Sequence, residues 1–508
     1  MQNLQYYLDT FSVTPSQLTT LIQEGLAKGG DFCDLYFEYS TYMNLTLRDS
    51  QVSAGGLYND LGVGIRVLKG EKTGYAYSES TEMADMIKAA RAASTIAYSP
   101  SNPRSYSPAS SSAYSPSSSV HSLTSLASAS PIGPVGSVSL DVYENLAKSR
   151  LNLYPMELSW RETQASDLAR ALKSLEEAIL SRDERVVKII AVVSCSVSDV
   201  LMYNSLGELS FDSRPMGSLI ASVVFHKDGK FENKTVSRSF RMGAEMISPE
   251  LIDELATQAV KGIDERFEAI RPAGGKMAVV MGAGASGILL HEAIGHTFEA
   301  DFNRKGQSIF SDKMGKQVCS TDISIVDDGT LPFNRGSGNY DDEGVPGQKT
   351  YMIKDGILTS YLHDRISSSY YGVAPTGNGR RENFRYNPIP RMRSTYMENG
   401  SVDPSLIIAD VKQGIYVDEF SNGQVKIGEG DFTFFVKNGY LIENGRLGAP
   451  IKDINVIGNG PKALADIIAV GNDLIVDNGT WTCGKDQNVP VTCGLPTILV
   501  RSLIVGGE

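Results

Sequence analysis

The chain has 508 residues, 41% of them hydrophobic and 21% charged, which is enough for two or three domains with cores of their own. Its net charge is −12, with acids and bases mixed throughout, which excludes the concentrated basic face that direct nucleic-acid binding requires. The five scattered cysteines make no disulfide framework, and no apolar run approaches the roughly 20 residues that cross a bilayer, so a reducing, cytoplasmic setting away from membranes is expected.

The first residues, MQNLQYYLDTFSV, carry neither the basic nor the apolar region of a secretory leader. Residues 14–30, TPSQLTTLIQEGLAKGG, predict a helix with Thr14 as N-cap, Pro15 at its first position and Gly29 and Gly30 as the stop. The stretches CDLYFEYS, MNLTLRDSQV, LGVGIRVLKG and TGYAYSES read as strands, followed by a helix at EMADMIKAARAAS. Residues 1–97 are thus expected to form an N-terminal α+β domain. From Tyr98 to Gly136, Ser, Pro, Ala and Tyr dominate and YSP recurs at 98, 106 and 114. Residues 98–136 are read as a flexible insert, and its His121 is not taken as a metal ligand.

A middle α+β domain is expected over 137–244. Its helix is SDLARALKSLEEAILSR, and its strands are VVKIIAVVSCSVSDVLMYNS and SLIASVVFHKDGKFENKTVS, turned at Asp228-Gly229. The likeness of GIRVLKGEKTGYAYS to ASVVFHKDGKFENKTVS hints at a repeated hairpin. One continuous helix, SPELIDELATQAVKGIDERFEAI, is predicted to lead into a third domain, 245–508. That domain reads as mainly β and hairpin-rich, because Asn-Gly occurs seven times after residue 377 (at 378, 399, 422, 438, 444, 459 and 478). The fold class is therefore α+β: N-terminal α+β domains followed by a hairpin-rich, mainly β C-terminal domain.

Residues 282–302, GAGASGILLHEAIGHTFEADF, allow two chemistries. Gly282, Gly284 and Gly287 spell a dinucleotide fingerprint after the strand KMAVVM. The following TFEADFNRKGQSIFSDK is polar and irregular, however, and supplies no second apolar strand ending in an acid. The glycines are better read as a tight loop that exposes backbone N–H groups beside the next helix. HEAIGH then sets His291, Glu292 and His296 as a metal motif. Its histidines are five apart rather than four, so a regular helix would hold them about 140° apart. A π-type bulge, eased by Gly295, is predicted to realign them. The competing reading is a partly exposed helix that happens to carry two histidines. Against it, two of only five histidines flank a glutamate here, directly after a glycine loop. Glu299, Asp301, His363 and the cysteines are the candidates for a third ligand. On composition alone Cys483 and Cys493, in WTCGKDQNVPVTCG, read as small core residues.

Taken in order, GASGILLHEAIGHTFEADFNRKG, DDEGVPGQ (341–348), GNGRRENFRYNPIPRMRSTYM (377–397), GYLIENGRLGAPIK, IGNGPKALADIIAVGND and TCGKDQNVPV resemble the TldD/PmbA family, whose members are also called modulators of DNA gyrase. The resemblance covers essentially all of 245–508, is looser over 31–95 and leaves out the YSP insert. It implies a metalloprotease with one zinc ion per active subunit, ligands His291, His296 and Cys483, and Glu292 as the catalytic base, so 245–508 becomes the catalytic domain. This replaces the core reading of Cys483, while Cys493 stays structural. Keeping HExxxH places the chain on the TldD branch of the family. The implied partners are peptides and unfolded or partly unfolded proteins as substrates, and a dimer with itself or with a PmbA-type relative. A non-catalytic subunit regulating a protein such as DNA gyrase is the alternative, and the intact HExxxH and Cys483 argue against it. Arg380, Arg381, Arg385, Arg391 and Arg393 either hold a substrate carboxylate or pair with local acids. His363 either donates to an oxyanion or is structural, and the acids at 341–343 are read as organising their loop.

Overall fold

The computed structural model describes residues 2–98, 151–426 and 429–506, so residues 99–136 of the Ser/Pro-rich insert, His121 included, lie outside the described residues. The chain opens with helices α1 (Leu4–Phe11) and α2 (Pro15–Leu26). Helix α2 starts where the sequence predicts, because Thr14 and Gln17 form a reciprocal capping box ahead of Pro15.

Strands β1 (Phe32–Arg48), β2 (Gln51–Lys69) and β3 (Lys72–Ser78) form one antiparallel meander, followed by α3 (Met83–Tyr98). After α4 (Ala165–Leu180), β4 (Val186–Asn204), β5 (Leu209–Lys227) and β6 (Lys230–Phe240) form a second. Antiparallel pairing of β1 with β4, from Asp34 opposite Asn204 to Arg48 opposite Ile190, fuses them into one sheet ordered β3-β2-β1-β4-β5-β6. The two halves repeat outward from that seam. The second half turns at Asp228-Gly229 with both φ positive (50° and 77°), the geometry that Asp-Gly favours. Along β4, Ile189, Ala191, Val193, Cys195 and Val197 alternate inward onto Leu172 and Leu175 of α4. The first half buries Phe37, Val63 and Ile65 under Phe11, Leu21 and Met86.

The predicted connecting helix is two helices, α5 (Pro249–Val260) and α6 (Ile263–Glu268). Gly262 at φ 74° breaks it, a left-handed conformation that glycine adopts without a Cβ penalty.

The remainder is built around two sheets. The first contains β7 (Gly275–Met281), and the helix after it is α7 (Ile288–Ala293). The short elements that follow are α8 (Ala300–Arg304), β8 (Ile325–Asp328), β9 (Lys349–Lys354), β10 (Ile357–Leu358), α9 (Arg365–Tyr371), β11 (Gly379–Arg380), β12 (Ile389–Pro390), β13 (Ser394–Met397) and α10 (Pro404–Ala409). The long hairpin β14 (Gln413–Lys426) and β15 (Asp431–Glu443) leads to β16 (Arg446–Ile451), β17 (Ile454–Asn459), α11 (Gly460–Ala465), β18 (Ile467–Val470) and β19 (Ile475–Val476). A ribbon of β20 (Thr482–Cys483) and β21 (Val489–Pro490) precedes β22 (Thr492–Leu495) and β23 (Ile498–Gly506). One sheet runs β14-β7-β23-β17-β15-β16, and pairing of β14 with β15 closes it on itself around Val279, Ile415, Phe432, Phe434 and Val456. The other runs β10-β9-β8-β13-β22-β19.

The Asn-Gly pairs do not mark seven hairpins. Asn444-Gly445 does join β15 to β16 with both φ positive, but Asn438-Gly439 lies inside β15, and Asn459 caps α11. Packing selects glycine at 460, where a Cβ would collide with the Ala293 carbonyl at the end of α7. Among the described residues no helix is long and apolar enough to cross a membrane.

Buried ion pairs stitch the first sheet to the C-terminal region. Arg66 of β2, fully buried, pairs with Asp34 and with Glu343 (2.6 Å), and Arg214 of β5 pairs with Asp342 at 2.5 Å. The third acid of that loop, Asp341, accepts the backbone N–H groups of Glu343, Val345 and Gly379, the loop-organising role its sequence context suggests.

Candidate metal centre

The glycine loop after β7 is not a dinucleotide cradle. Strand β7 lies between β14 and β23, and the first strand past α7, β8, joins the other sheet, while the parallel neighbour β14 comes only much later in the chain. Gly284 takes φ 92° and donates to the Leu495 carbonyl, while a Cβ on Gly287 would sit 2.9 Å from the Gly494 backbone. The loop's small residues thus press the start of α7 against β22.

Helix α7 carries His291 and Glu292 and then stops. Ile294 leaves the helix at φ −125°, ψ −52°, and His296 follows in a 3-10 turn over Gly295–Phe298. The predicted π-type bulge is therefore replaced by a break and a tighter turn. Glycine is required at the tighter turn: Gly295 lies against Met392, whose sulfur a Cβ would strike. The extra residue is absorbed all the same. The two imidazoles sit 5.1 Å apart, centroid to centroid, with their planes at 78°.

Cys483 arrives from the β20–β21 ribbon, with its Sγ 3.3 Å from Nε2 of His296. One ligand atom from each of His291, His296 and Cys483 lies within 4.8 Å of the others, and the three residues are 1%, 3% and 2% exposed. Both ring nitrogens of His291 are buried and neither makes a hydrogen bond of acceptable geometry, although the ring faces the Cys483 sulfur. Buried polar atoms are nearly always satisfied, so an orphaned imidazole beside a thiol and a second imidazole fits a thiophilic divalent ion. Burial pushes the Cys483 thiol up, but the imidazoles of His291 and His296 more than reverse this and hold it at about 4, as a thiolate. Burial likewise pushes His296 down, and the Glu299 and Cys483 charges outweigh it, raising the imidazole to about 10.

The Glu292 carboxylate lies 3.8 Å from His296 Nε2, and its side chain is 32% exposed, so it borders the cluster and reaches solvent. Glu299 and Asp301 are neither ligands nor solvated charges. Glu299 is fully buried, 2.8 Å from His296 Nδ1, and Lys485 braces it at 3.0 Å while also reaching Asp301 at 2.9 Å. This carboxylate fixes the His296 ring with Nε2 towards Cys483. Nothing in the sequence pattern singled out Lys485; its position two residues after Cys483 becomes meaningful only once the ribbon is folded. Replacing Glu299 by Gln is expected to weaken metal binding about 10- to 100-fold, read by competition with a chromophoric chelator. Unchanged affinity would mean that packing alone orients the ring.

The other candidates lie apart from the cluster. His363 is buried against Tyr361 and Tyr371, hydrogen-bonded to Ser367 Oγ, and burial lowers it to about 4, so it is a neutral structural ring. Cys493, in β22, is held well above the ordinary thiol range by burial and stays a thiol. In the arginine stretch only Arg385 is clamped by carboxylates, those of Asp60 and Glu79. Arg391, fully buried, donates to the carbonyls of Cys483 and Gln487 and pins the ribbon that presents the thiolate.

Two imidazoles and a thiolate converging beside an open carboxylate, on a closed β core, define a candidate metalloenzyme. Family models for the PmbA/TldA metallopeptidases match in sequence: domain 1 at residues 33–97, the central domain at 159–263 and the C-terminal domain at 274–507. The chain belongs to this PmbA/TldD metalloprotease family. It is 36% identical to the metalloprotease TldD homolog of Haemophilus influenzae over 508 residues, covering 97% of this chain and 98% of that protein. It is 33% identical over 258 residues to the zinc metalloprotease TldD homolog of Saccharolobus solfataricus, covering 50% of this chain and 57% of that one. In fold it resembles TldE from Thermococcus kodakarensis, with a TM-score of 0.69 at 17% identity, over 97% of this chain and all of that chain.

Proposed function

We propose that the protein is a zinc-dependent peptidase acting on peptides and unfolded or partly unfolded proteins, with His291, His296 and Cys483 as ligands and Glu292 as general base. One observation supports it above the rest: three buried ligand atoms gather within 4.8 Å beside a carboxylate that still reaches solvent. The zinc named for the Saccharolobus relative and the soft thiolate in the donor set both favour that metal. When bound there, the ion supplies Lewis acidity towards water and towards a peptide carbonyl.

The chain's own groups do the rest. Glu292 takes the proton from the attacking water and returns it to the departing amine. Glu299 holds His296 in the tautomer that presents Nε2, and Lys485 keeps Glu299 ionised within the protein. Cys483 stays a thiolate because both imidazoles face it. An extended substrate can align along edge strand β19, whose Ile475 packs on the loop before α7, by main-chain hydrogen bonds that read little sequence. As the family resemblance implies, the reading includes a dimer with itself or with a PmbA-type relative. The five cysteines, all buried and unpaired, fit a reducing cytoplasm.

The test is metal analysis of the purified chain, with cleavage of an unfolded peptide measured with and without a chelator. One zinc per chain is expected, with activity lost on chelation and restored by zinc. A metal-free chain with no chelator-sensitive cleavage would favour the non-catalytic regulatory subunit instead.

A further inference from the structure

A cavity of about 270 Å³ lies between the first sheet and the C-terminal region, walled by Arg214, Arg241, Arg335, Arg380, Arg381 and Arg393. Three acids face it: Glu38, Asp342 and Glu382. Asp342 is occupied by Arg214 and by the backbone N–H of Arg381, and Glu382 by the N–H of Asn488. Glu38 accepts from Ser40 and from the N–H of Phe384, and burial pushes it up to about 7.

The arginines are poorly matched in return. Arg380 donates only to the carbonyls of Met392 and Pro490, and Arg393 to those of Gly377, Gly336 and Tyr340. Arg335 reaches the Trp481 carbonyl and the hydroxyls of Ser239 and Thr482. Arg241 is 8% exposed, its Nε is buried without a hydrogen-bond partner, and its guanidinium lies over the Tyr154 ring. Among the described residues none of these four guanidinium groups makes an ion pair. Burial and the charges of neighbouring arginines pull Arg241 down, Arg335 to about 10, and Arg380 further, with Asp212 opposing this only in part at Arg241 and Asp342 only in part at Arg380. Buried, unneutralised charges of one sign are costly, and an anion entering the cavity offsets that cost.

Guanidinium forks match a carboxylate's two oxygens, and the cavity is larger than an inorganic anion needs, with Tyr42, Met216 and Val489 as apolar wall. It also shares a wall with the metal centre. Thr482 and Pro490, partners across the ribbon, line it, while Cys483, the next residue after Thr482, meets the imidazole of His296. Arg335 and Arg380 both hold that ribbon.

We infer that this cavity is a carboxylate-binding site that seats the C-terminal carboxylate of a peptide, one ribbon away from the metal centre. The peptide as source rests on the peptidase reading; the demand for an anion does not. The test uses the full chain carrying Glu292→Gln, so that no peptide is consumed. Calorimetry compares an acetylated tripeptide with a free C-terminal carboxylate, the same tripeptide amidated, and inorganic phosphate. The acid is expected to bind about tenfold tighter than the amide, and the difference to vanish in Arg241→Met and in Arg335→Gln. Arg335 is half-buried, so its variant carries the comparison if Arg241→Met fails to fold. Equal binding of acid and amide overturns the proposal. Phosphate binding that the acid cannot displace overturns the peptide assignment. A chain without peptidase activity would still give this comparison, which separates the two readings.

Discussion

Glu292→Gln is expected to lower kcat for peptide cleavage by about 10²- to 10⁴-fold, the usual worth of a positioned general base, while metal content stays at the wild-type level. The split follows from the geometry. Glu292 is not among the three converging ligand atoms; its carboxylate lies at their edge, 3.8 Å from His296 Nε2 and one-third open to solvent, where a water must approach. Glutamine keeps the volume and can still hydrogen-bond that water but cannot take its proton. KM should change little, because a peptide aligned by its main chain does not depend on this group. Stopped assays on unfolded peptide with metal quantified in the same sample give the answer. If the variant cleaves within a few-fold of wild type, another base works here. If it loses its metal, Glu292 is a ligand and the roles of the motif must be redrawn.

What the sequence made legible, and what it hid, follows range of interaction. The N-cap at Thr14 and the Asp228-Gly229 turn depend on a few adjacent residues, and both stand where they were predicted. The Asn-Gly pairs misled because glycine at 460 answers to the backbone of α7, a contact no local rule contains. The same holds at the centre. His291 and His296 were visible as a pair, but the close packing of Gly295 against Met392, about a hundred residues later, lies outside any local rule. Glu299 stood among several candidate third ligands, and burial beneath Lys485 made it the partner of His296 instead. Composition made Cys483 a core residue, and only the resemblance set it apart from Cys493.

Cys483→Ala should abolish metal retention and activity together, whereas Cys493→Ala should keep both. Structural zinc sites with four ligands are worth about 10–16 kcal/mol, so one ligand accounts for roughly 3 kcal/mol, or about two orders of magnitude in affinity. The Cys483 thiolate is also the only anion among the three proposed ligands, so its loss would leave two imidazoles facing a dication with no neutralising charge. Cys493 is equally buried but remains a thiol in β22, and its truncation is expected to cost about 1 kcal/mol of packing and no metal. Because Cys483 and His296 are 187 residues apart in sequence, a metal held by both would tie the C-terminal ribbon to the turn after α7. Ligand binding to the native state raises Tm by mass action, so adding zinc to metal-free protein should raise Tm in wild type and Cys493→Ala but not in Cys483→Ala. An undiminished zinc-induced rise in Cys483→Ala would show that the thiolate is not a ligand, and the affinity must then come from groups outside this cluster.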